Sequence, residues 1–141
     1  MSVQEKKAQI KRSYEGGMTE EEARALIAPG YVIHNPMTKR DETLDEHAQF
    51  EAQLLSAFPD LHFTVEELIG EGDLVAVRWR ARGAFTGAFM GRQPTGKVVE
   101  MTGISIHRFE GGKGAECWIQ MDSLGLLQQV GVVPELAAVP V

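Results

Sequence analysis

The sequence has one cysteine, no basic tract and no long apolar run, and each of these absences excludes a class of protein. Cys117 alone cannot form an internal disulfide or a cysteine-based zinc cluster, which fits a reducing compartment. No apolar run approaches the roughly 20 residues of a membrane-spanning helix, and residues 1–7 lack the apolar core of a signal peptide. We therefore expect a cytoplasmic protein.

Positive charge is also scarce, because 14 Lys and Arg stand against 20 Asp and Glu, for a formal net charge of −6. An acidic chain without a basic cluster lacks the charge that binding to a phosphate backbone or an anionic membrane requires. We expect neither nucleic acid nor a membrane as a partner.

With 141 residues, of which 43% are hydrophobic, the chain has the size and composition of one globular domain. Its N-terminal third predicts three helices. The first runs from Val3 to Tyr14, and capping boxes at Thr19–Glu22 and Thr43–Glu46 begin the second and third. We expect Pro29-Gly30 to end the second helix and Ala57 to lie near the end of the third. The residues that the third helix is predicted to bury are Leu44, Ala48 and Leu55.

After a short extended piece at residues 31–33, the hydrophobic period changes at Leu61 from helical to two, which predicts about four antiparallel strands. One strand places Val75, Val77, Trp79 and Ala81 on one face and Arg78, Arg80 and Arg82 on the other. The arginine face is expected to be a polar outer face, open to oligomer contacts. Helices followed by an antiparallel meander indicate an α+β fold, whose curved sheet can leave a cavity against the helices.

A final helix is predicted from Ser123 to Val130, and Gly131 ends it. We assign one domain to residues 1–131 and a C-terminal tail to residues 132–141. The tail contains proline and is expected to be mobile or to dock on a partner subunit.

The last predicted strand carries the clearest chemical signal. Its alternation places Glu116, Trp118, Gln120 and Asp122 on one face. In an apolar cavity the pKa of a carboxyl group rises, and the group can then exchange protons with a carbon acid near neutral pH. Asp122 also directly precedes the last helix, where Asp is a preferred N-cap, so catalytic and capping roles both stay open. Glu116 is interpreted as an ion-pair partner of Arg78 or Arg80.

The four histidines have none of the short spacings that place two imidazoles on one metal ion, and no metal site is expected. His47 and His62 are interpreted as surface or edge residues. His34 and His107 belong to apolar segments that border the sheet interior, so each is open between a catalytic role and a structural hydrogen bond. His107 alternates with Ile106, and only one of the two can face the interior.

Short motifs in order from residue 34 to residue 131 resemble the SnoaL-like polyketide cyclases, or ester cyclases, of the nuclear transport factor 2-like superfamily. The motifs are His34-Asn35-Pro36, Phe58-Pro59-Asp60, Glu71-Gly72-Asp73, the loop from Gly83 to Lys97, Gly103 to Phe109, Trp118 with Asp122, and Leu126 to Gly131. The resemblance implies a cone-shaped, curved antiparallel sheet wrapped around N-terminal helices, with a deep pocket, in a homodimer or homotetramer. It also implies that Asp122 acts as general acid/base for an intramolecular aldol closure without metal or organic cofactor.

Three positions depart from the pattern of that family, and one of them is Ala88, where the family frequently has an acidic residue. The loop from Gly83 to Gly87 lacks the histidine that the family commonly carries. Ser105 stands where the cyclases have a pocket histidine, and His107 lies two residues on, on the same face of the strand. His107 is therefore the candidate substitute.

The leading hypothesis is a cofactor-independent cyclase or isomerase that acts on a small apolar carbonyl compound. Asp122 would remove a proton next to the carbonyl, and His34, His107 or Asn35 would stabilise the enolate oxygen. The candidate substrate-binding residues are Asn35, Arg78, Phe85, Ser105, Glu116 and Trp118. One alternative is epoxide hydration by Glu116, Asp122 and Arg78. The other is a non-catalytic module of the same fold that binds a small molecule or serves assembly.

Overall fold

A computed structural model describes residues 1–135 of the chain. Within these residues the chain forms four helices and six strands. The helices are α1 (Val3–Tyr14), α2 (Glu20–Ala25), α3 (Leu44–Ala57) and α4 (Ser123–Val130). The strands are β1 (Ile27–Asn35), β2 (Arg40–Glu42), β3 (His62–Glu71), β4 (Leu74–Ala84), β5 (Val98–Glu110) and β6 (Lys113–Met121).

The first three helices begin where local sequence satisfies their unpaired amides. Ser2, Thr19 and Thr43 are the N-caps, and each forms a capping box with the glutamate three residues later. The boxes at Thr19 and Thr43 confirm the prediction. The predicted buried stripe of α3 is partly wrong: Leu44 is half-buried, Ala48 and Leu55 are exposed, and Leu54 and Ala57 are the residues that face the core. Each residue turns a helix by about 100°, so a shift of one position is enough to change the face.

The strands form one sheet in the order β2-β1-β6-β5-β4-β3. Neighbouring strands are antiparallel except β1 and β6, which are parallel, with Ile33 opposite Cys117. The prediction of about four antiparallel strands is therefore too low: the extended piece predicted at residues 31–33 is part of β1, and β2 was missed. Pro29-Gly30 does not end α2 but lies inside β1, at an irregularity between Ile27 and Val32 where a strand tolerates proline.

The sheet is curved and open, with β2 and β3 as its edges, and this confirms the α+β architecture with N-terminal helices. Its inner face contributes most of the core, including the predicted set Val75, Val77, Trp79 and Ala81 of β4. Arg78 and Arg82 are exposed on the outer face, as expected from the alternation. The two faces therefore separate an apolar interior from a charged exterior.

After β6 the chain enters α4, which ends at Gly131 in the left-handed conformation (φ 86°), as predicted. Of the proposed tail, Val132 packs against the core, and residues 136–141 lie outside the described residues. Among residues 1–135 no helix is long and apolar enough to cross a membrane.

Candidate active site

A cavity of about 620 Å³ lies between the inner face of the sheet and helices α1, α2 and α3. Most of its lining is apolar, with Ile10, Leu54 and Met101 among the contributors. Apolar cavities of this size with a few polar groups are typical of small-molecule sites. The polar groups in its wall therefore define the candidate chemistry.

His107, and not Ile106, faces the cavity, and Ile106 is 40% exposed on the outer face. The Nε2 atom of His107 lies 2.7 Å from the hydroxyl of Tyr14, which reaches it from the last turn of α1. Burial lowers the pKa of His107 to about 4 and raises the pKa of Tyr14. Both side chains are therefore neutral near pH 7.

Ser105 lies beside this pair on the same strand. The indole Nε1–H of Trp79 donates to the Ser105 hydroxyl at 3.0 Å, and a hydrogen bond with Ser105 opposes the rise in the pKa of Tyr14. Ser105 and His107 share the inner face, as predicted.

Asn35 contributes a donor that has no partner. Its Oδ1 accepts from the backbone N–H of Met37 at 2.9 Å, which fixes the orientation of the amide. Its Nδ2 is buried in the cavity wall and has no hydrogen-bond partner among the described residues. A buried donor without a partner costs about 1–3 kcal/mol, so such a group is a candidate for ligand binding.

His47 was interpreted as a surface residue, but its imidazole lines the cavity with only 14% of the side chain exposed. Its Nδ1 lies 2.9 Å from Oε1 of Glu42, a carboxylate that is 1% exposed. The sequence signal was the spacing of Glu42 and His47 around the Thr43 capping box, which brings the end of β2 against the first turn of α3.

The structure places Asp122 outside this cavity. The alternation along β6 is as predicted, but Cys117, Ile119 and Met121 form its inward face. Asp122 is exposed, and its Oδ1 accepts from the backbone N–H of Gly125 at 2.9 Å, so it caps α4. The expectation that the Asp122 face borders the apolar cavity is wrong, because the pairing of Cys117 with His107 puts these two residues on the same face.

Three other predicted residues meet on the outer face. The imidazole of His34 stacks on Trp118, with ring centroids 5.4 Å apart, and its two nitrogens lie 2.6 Å from carboxylate oxygens of Glu116 and Asp41. The hydrogen bond with Glu116 is the main cause of a raised pKa of His34. Glu116 pairs with Arg108 at 3.2 Å and not with Arg78 or Arg80 as interpreted. This cluster belongs to the sheet exterior, since Ile33 and Asn35 occupy the inward positions of β1.

The last two predicted residues also lie away from the cavity. Arg78 pairs with Glu67 at 2.7 Å and lines a second pocket, of about 600 Å³, that Asp122 also lines. Phe85 is completely buried in the core against Phe58, with ring centroids 5.5 Å apart. Of the nine predicted site residues, the cavity thus brings together Asn35, Ser105 and His107.

Known proteins resemble this chain in both sequence and fold. The family model for the SnoaL-like polyketide cyclase domain matches residues 9–130. No curated protein matches the sequence. AclR from Streptomyces galilaeus, a proposed hydroxylase, superposes with a TM-score of 0.83 and 27% identity, covering 96% of this chain and 87% of AclR. IdmH from Streptomyces antibioticus, a proposed polyketide cyclase, gives a TM-score of 0.79 and 32% identity, covering 93% of this chain and 99% of IdmH.

Proposed function

Because the chain belongs to the SnoaL-like polyketide cyclase family, we propose that its cavity binds a small apolar carbonyl compound and catalyses proton transfer next to the carbonyl. The enolate formed in this way would lead to aldol-type cyclisation or to isomerisation. The chemistry would use side chains of the cavity and no cofactor.

The unpartnered amide of Asn35 carries this proposal. Nδ2 of Asn35 is a fixed donor in an apolar wall, where a hydrogen bond to a developing oxyanion is worth far more than in water. The Tyr14–His107 pair adds two neutral hydrogen-bonding groups to the same wall. Neutral donors suit a carbonyl substrate, because they stabilise the enolate oxygen without the cost of a buried positive charge.

Two properties favour a polyketide-type ligand. The volume of about 620 Å³ fits a molecule with fused rings, and the apolar lining would desolvate such rings. IdmH is described as a proposed polyketide cyclase and AclR as a proposed hydroxylase. Asp122 takes no part in this proposal, because its carboxylate caps α4 and lies outside the cavity.

Exchange of the α-protons of 2-tetralone in D₂O, followed by proton NMR, tests the proposal. The wild-type protein should accelerate exchange, and Asn35→Leu should lower the rate by about 100-fold, the usual effect of removing one oxyanion donor. Gln53→Leu, an exposed substitution on α3, is the matched control and should keep the wild-type rate. Binding without exchange, detected by amide chemical shifts of the cavity residues, would contradict catalysis and favour a non-catalytic binding module.

A further inference from the structure

Proton transfer from a carbon next to a carbonyl needs a general base, and His107, Cys117 and Asp122 are poorly suited to this role. Neutral His107, with a pKa of about 4, is a weak base near pH 7, and burial raises the pKa of the Cys117 thiol to about 12. The outer position of Asp122 removes its carboxylate from the cavity. Among the titratable groups that line the cavity, His47 and Glu51 lie on α3.

Glu42 and His47 form a buried carboxylate–imidazole pair at this position. Glu42 ends β2, opposite Ile33 of β1, with its carboxylate 1% exposed, and it does not line the cavity. His47 stands between that carboxylate and the cavity. Thr43, the N-cap of α3, directly follows Glu42, so the end of β2 lies next to the first turn of α3, where Oε1 of Glu42 is 2.9 Å from Nδ1 of His47.

The pair determines which nitrogen of His47 is available. A buried carboxylate needs a donor, so Nδ1–H of His47 donates to Glu42 Oε1 at 2.9 Å. The imidazolium form also donates from Nε2–H to Glu51, and loss of that proton leaves the lone pair of the neutral imidazole on Nε2. This atom lies 3.3 Å from Oε1 of Glu51, a cavity-lining glutamate whose side chain is 61% exposed and can yield its place to a ligand.

We propose that His47 is the general base of the cavity and that Glu42 is its positioning residue. The inference rests on the proposed function. Nε2 of His47 removes a proton from the carbon next to the substrate carbonyl, and the electron pair of that C–H bond forms the enolate. Asn35 donates to the enolate oxygen, and Glu42 stabilises the imidazolium. Return of the proton to the same carbon, to another carbon, or to the alkoxide of a closed aldol ring completes the cycle without a co-reactant.

The surroundings of His47 give it a suitable pKa. Burial lowers the pKa, but the hydrogen bonds and charges of Glu51 and Glu42 together outweigh burial and leave the pKa above 6.5. These two glutamates, one on α3 and one on β2, are the charged groups that contact the imidazole among the described residues. The neighbouring Glu46 pairs with Arg40 at 3.2 Å instead. Glu42 and Glu51 therefore make the imidazole of His47 a stronger base than a free imidazole.

The test uses the same 2-tetralone exchange assay across a range of pH. His47→Gln should lower the exchange rate by about 100-fold, the lower end of the contribution of a general base. Glu42→Gln keeps the acceptor for Nδ1–H and removes the charge. It should lower the rate by about 10-fold and move the midpoint of the pH–rate profile to lower pH, because loss of the carboxylate lowers the pKa of His47. His62→Gln, the same substitution at an exposed histidine of β3, should keep both rate and profile.

The possible outcomes separate this inference from the function on which it rests. A wild-type rate in His47→Gln together with a lost rate in Asn35→Leu would overturn the role of His47 and leave the proposed function standing. No exchange by the wild-type protein would overturn both. If His47→Gln fails to fold, the profile of Glu42→Gln decides: an unmoved midpoint contradicts the pair, and a shift to lower pH supports it.

Discussion

At the scale of single residues, the cavity depends on side chains whose charge or size is set by burial. His107 is neutral because a charged imidazolium in the cavity wall would lose its hydration, and its partner Tyr14 offers no negative charge in return. Gly103, opposite Trp79 in the sheet, lets the indole lie flat across β5, where its Nε1–H reaches Ser105. Each case gives a measurable prediction.

His107 makes the fold sensitive to acid. Its pKa is about 4 in the folded protein and 6.5 in the unfolded chain, so the unfolded chain binds more protons between these values. The contribution of neutral His107 to stability is present above pH 6.5 and is lost as the pH falls toward 4, a change on the order of 3 kcal/mol. Urea unfolding of wild type and His107→Gln at several pH values measures it. The variant should lose less stability over this range, and parallel pH curves would contradict the prediction.

Gly103 should not tolerate even one methyl group. A Cβ at this position would lie 2.6 Å from Cε2 of Trp79 and 2.7 Å from the carbonyl oxygen of Gln120. Gly103→Ala should therefore lower the free energy of unfolding by about 2 kcal/mol, in the range of overpacking in cores. Urea unfolding measures this loss, and near-UV circular dichroism reports the displaced indole. Thr102→Ala, at the exposed neighbour, is the control and should change both little.

At the scale of elements, the N-terminal caps of two helices fix the positions of polar side chains near the cavity. The capping box at Thr43 joins Glu42 to His47, and the cap at Asp122 joins β6 to α4. A helix cap therefore has opposite consequences at the two places. At Thr43 it lies beside the Glu42–His47 pair of the proposed site, and at Asp122 it uses a carboxylate that lies outside the cavity.

The role of Asp122 is open to a direct test. Asp122→Ala should destabilise the protein by about 1 kcal/mol through loss of the α4 cap, while Asp122→Asn should keep most of the stability, since Asn caps equally well. Thermal unfolding of the two variants checks this. Both should exchange 2-tetralone protons at the wild-type rate. A loss of proton exchange in Asp122→Asn at unchanged stability would instead show that the Asp122 carboxylate takes part in catalysis.

At the scale of the whole molecule, the curved sheet separates two environments. Its inner face encloses the cavity, whereas its outer face carries ion pairs such as Arg78–Glu67 and Arg80–Glu66. Three large apolar side chains interrupt this charged surface on adjacent strands. They are Ile104, Ile106 and Trp118, which are 52%, 40% and 36% exposed. Such a patch within a polar frame is typical of an interface.

We predict that this outer patch joins two copies of the chain in a homodimer. Sedimentation at micromolar concentration should give a mass of twice 15.5 kDa for the wild type. Ile106→Glu should shift the equilibrium to the monomer, because a charge in the apolar patch would be desolvated on association. Thr102→Glu, beside the patch on β5, is the matched control and should stay dimeric. A stable wild-type monomer of 15.5 kDa would contradict the prediction.

The faces of β1, β6 and α3 show which features of the site were predictable from the sequence. The alternation of Glu116 to Asp122 was correct, but a period of two does not tell which face is inside. His34 appeared to border the interior, yet the parallel pairing of β1 with β6 turns Asn35 inward and stacks His34 on Trp118 outside. His47 gave no periodic signal of function, because its importance comes from a contact with Glu42 in a different element.

The sequence by itself determined the local structure: the capping boxes of α2 and α3, the two faces of β4, the end of α4 at Gly131 and the resemblance to a family. These features depend on residues within a few positions of one another, where the chain geometry is regular. Only the tertiary structure decided that His107, Asn35 and His47 share a cavity while Asp122, His34 and Trp118 do not. The physical reason is that cavity membership depends on strand pairing across distant segments, and a shift of one residue in that pairing exchanges the inner and outer faces.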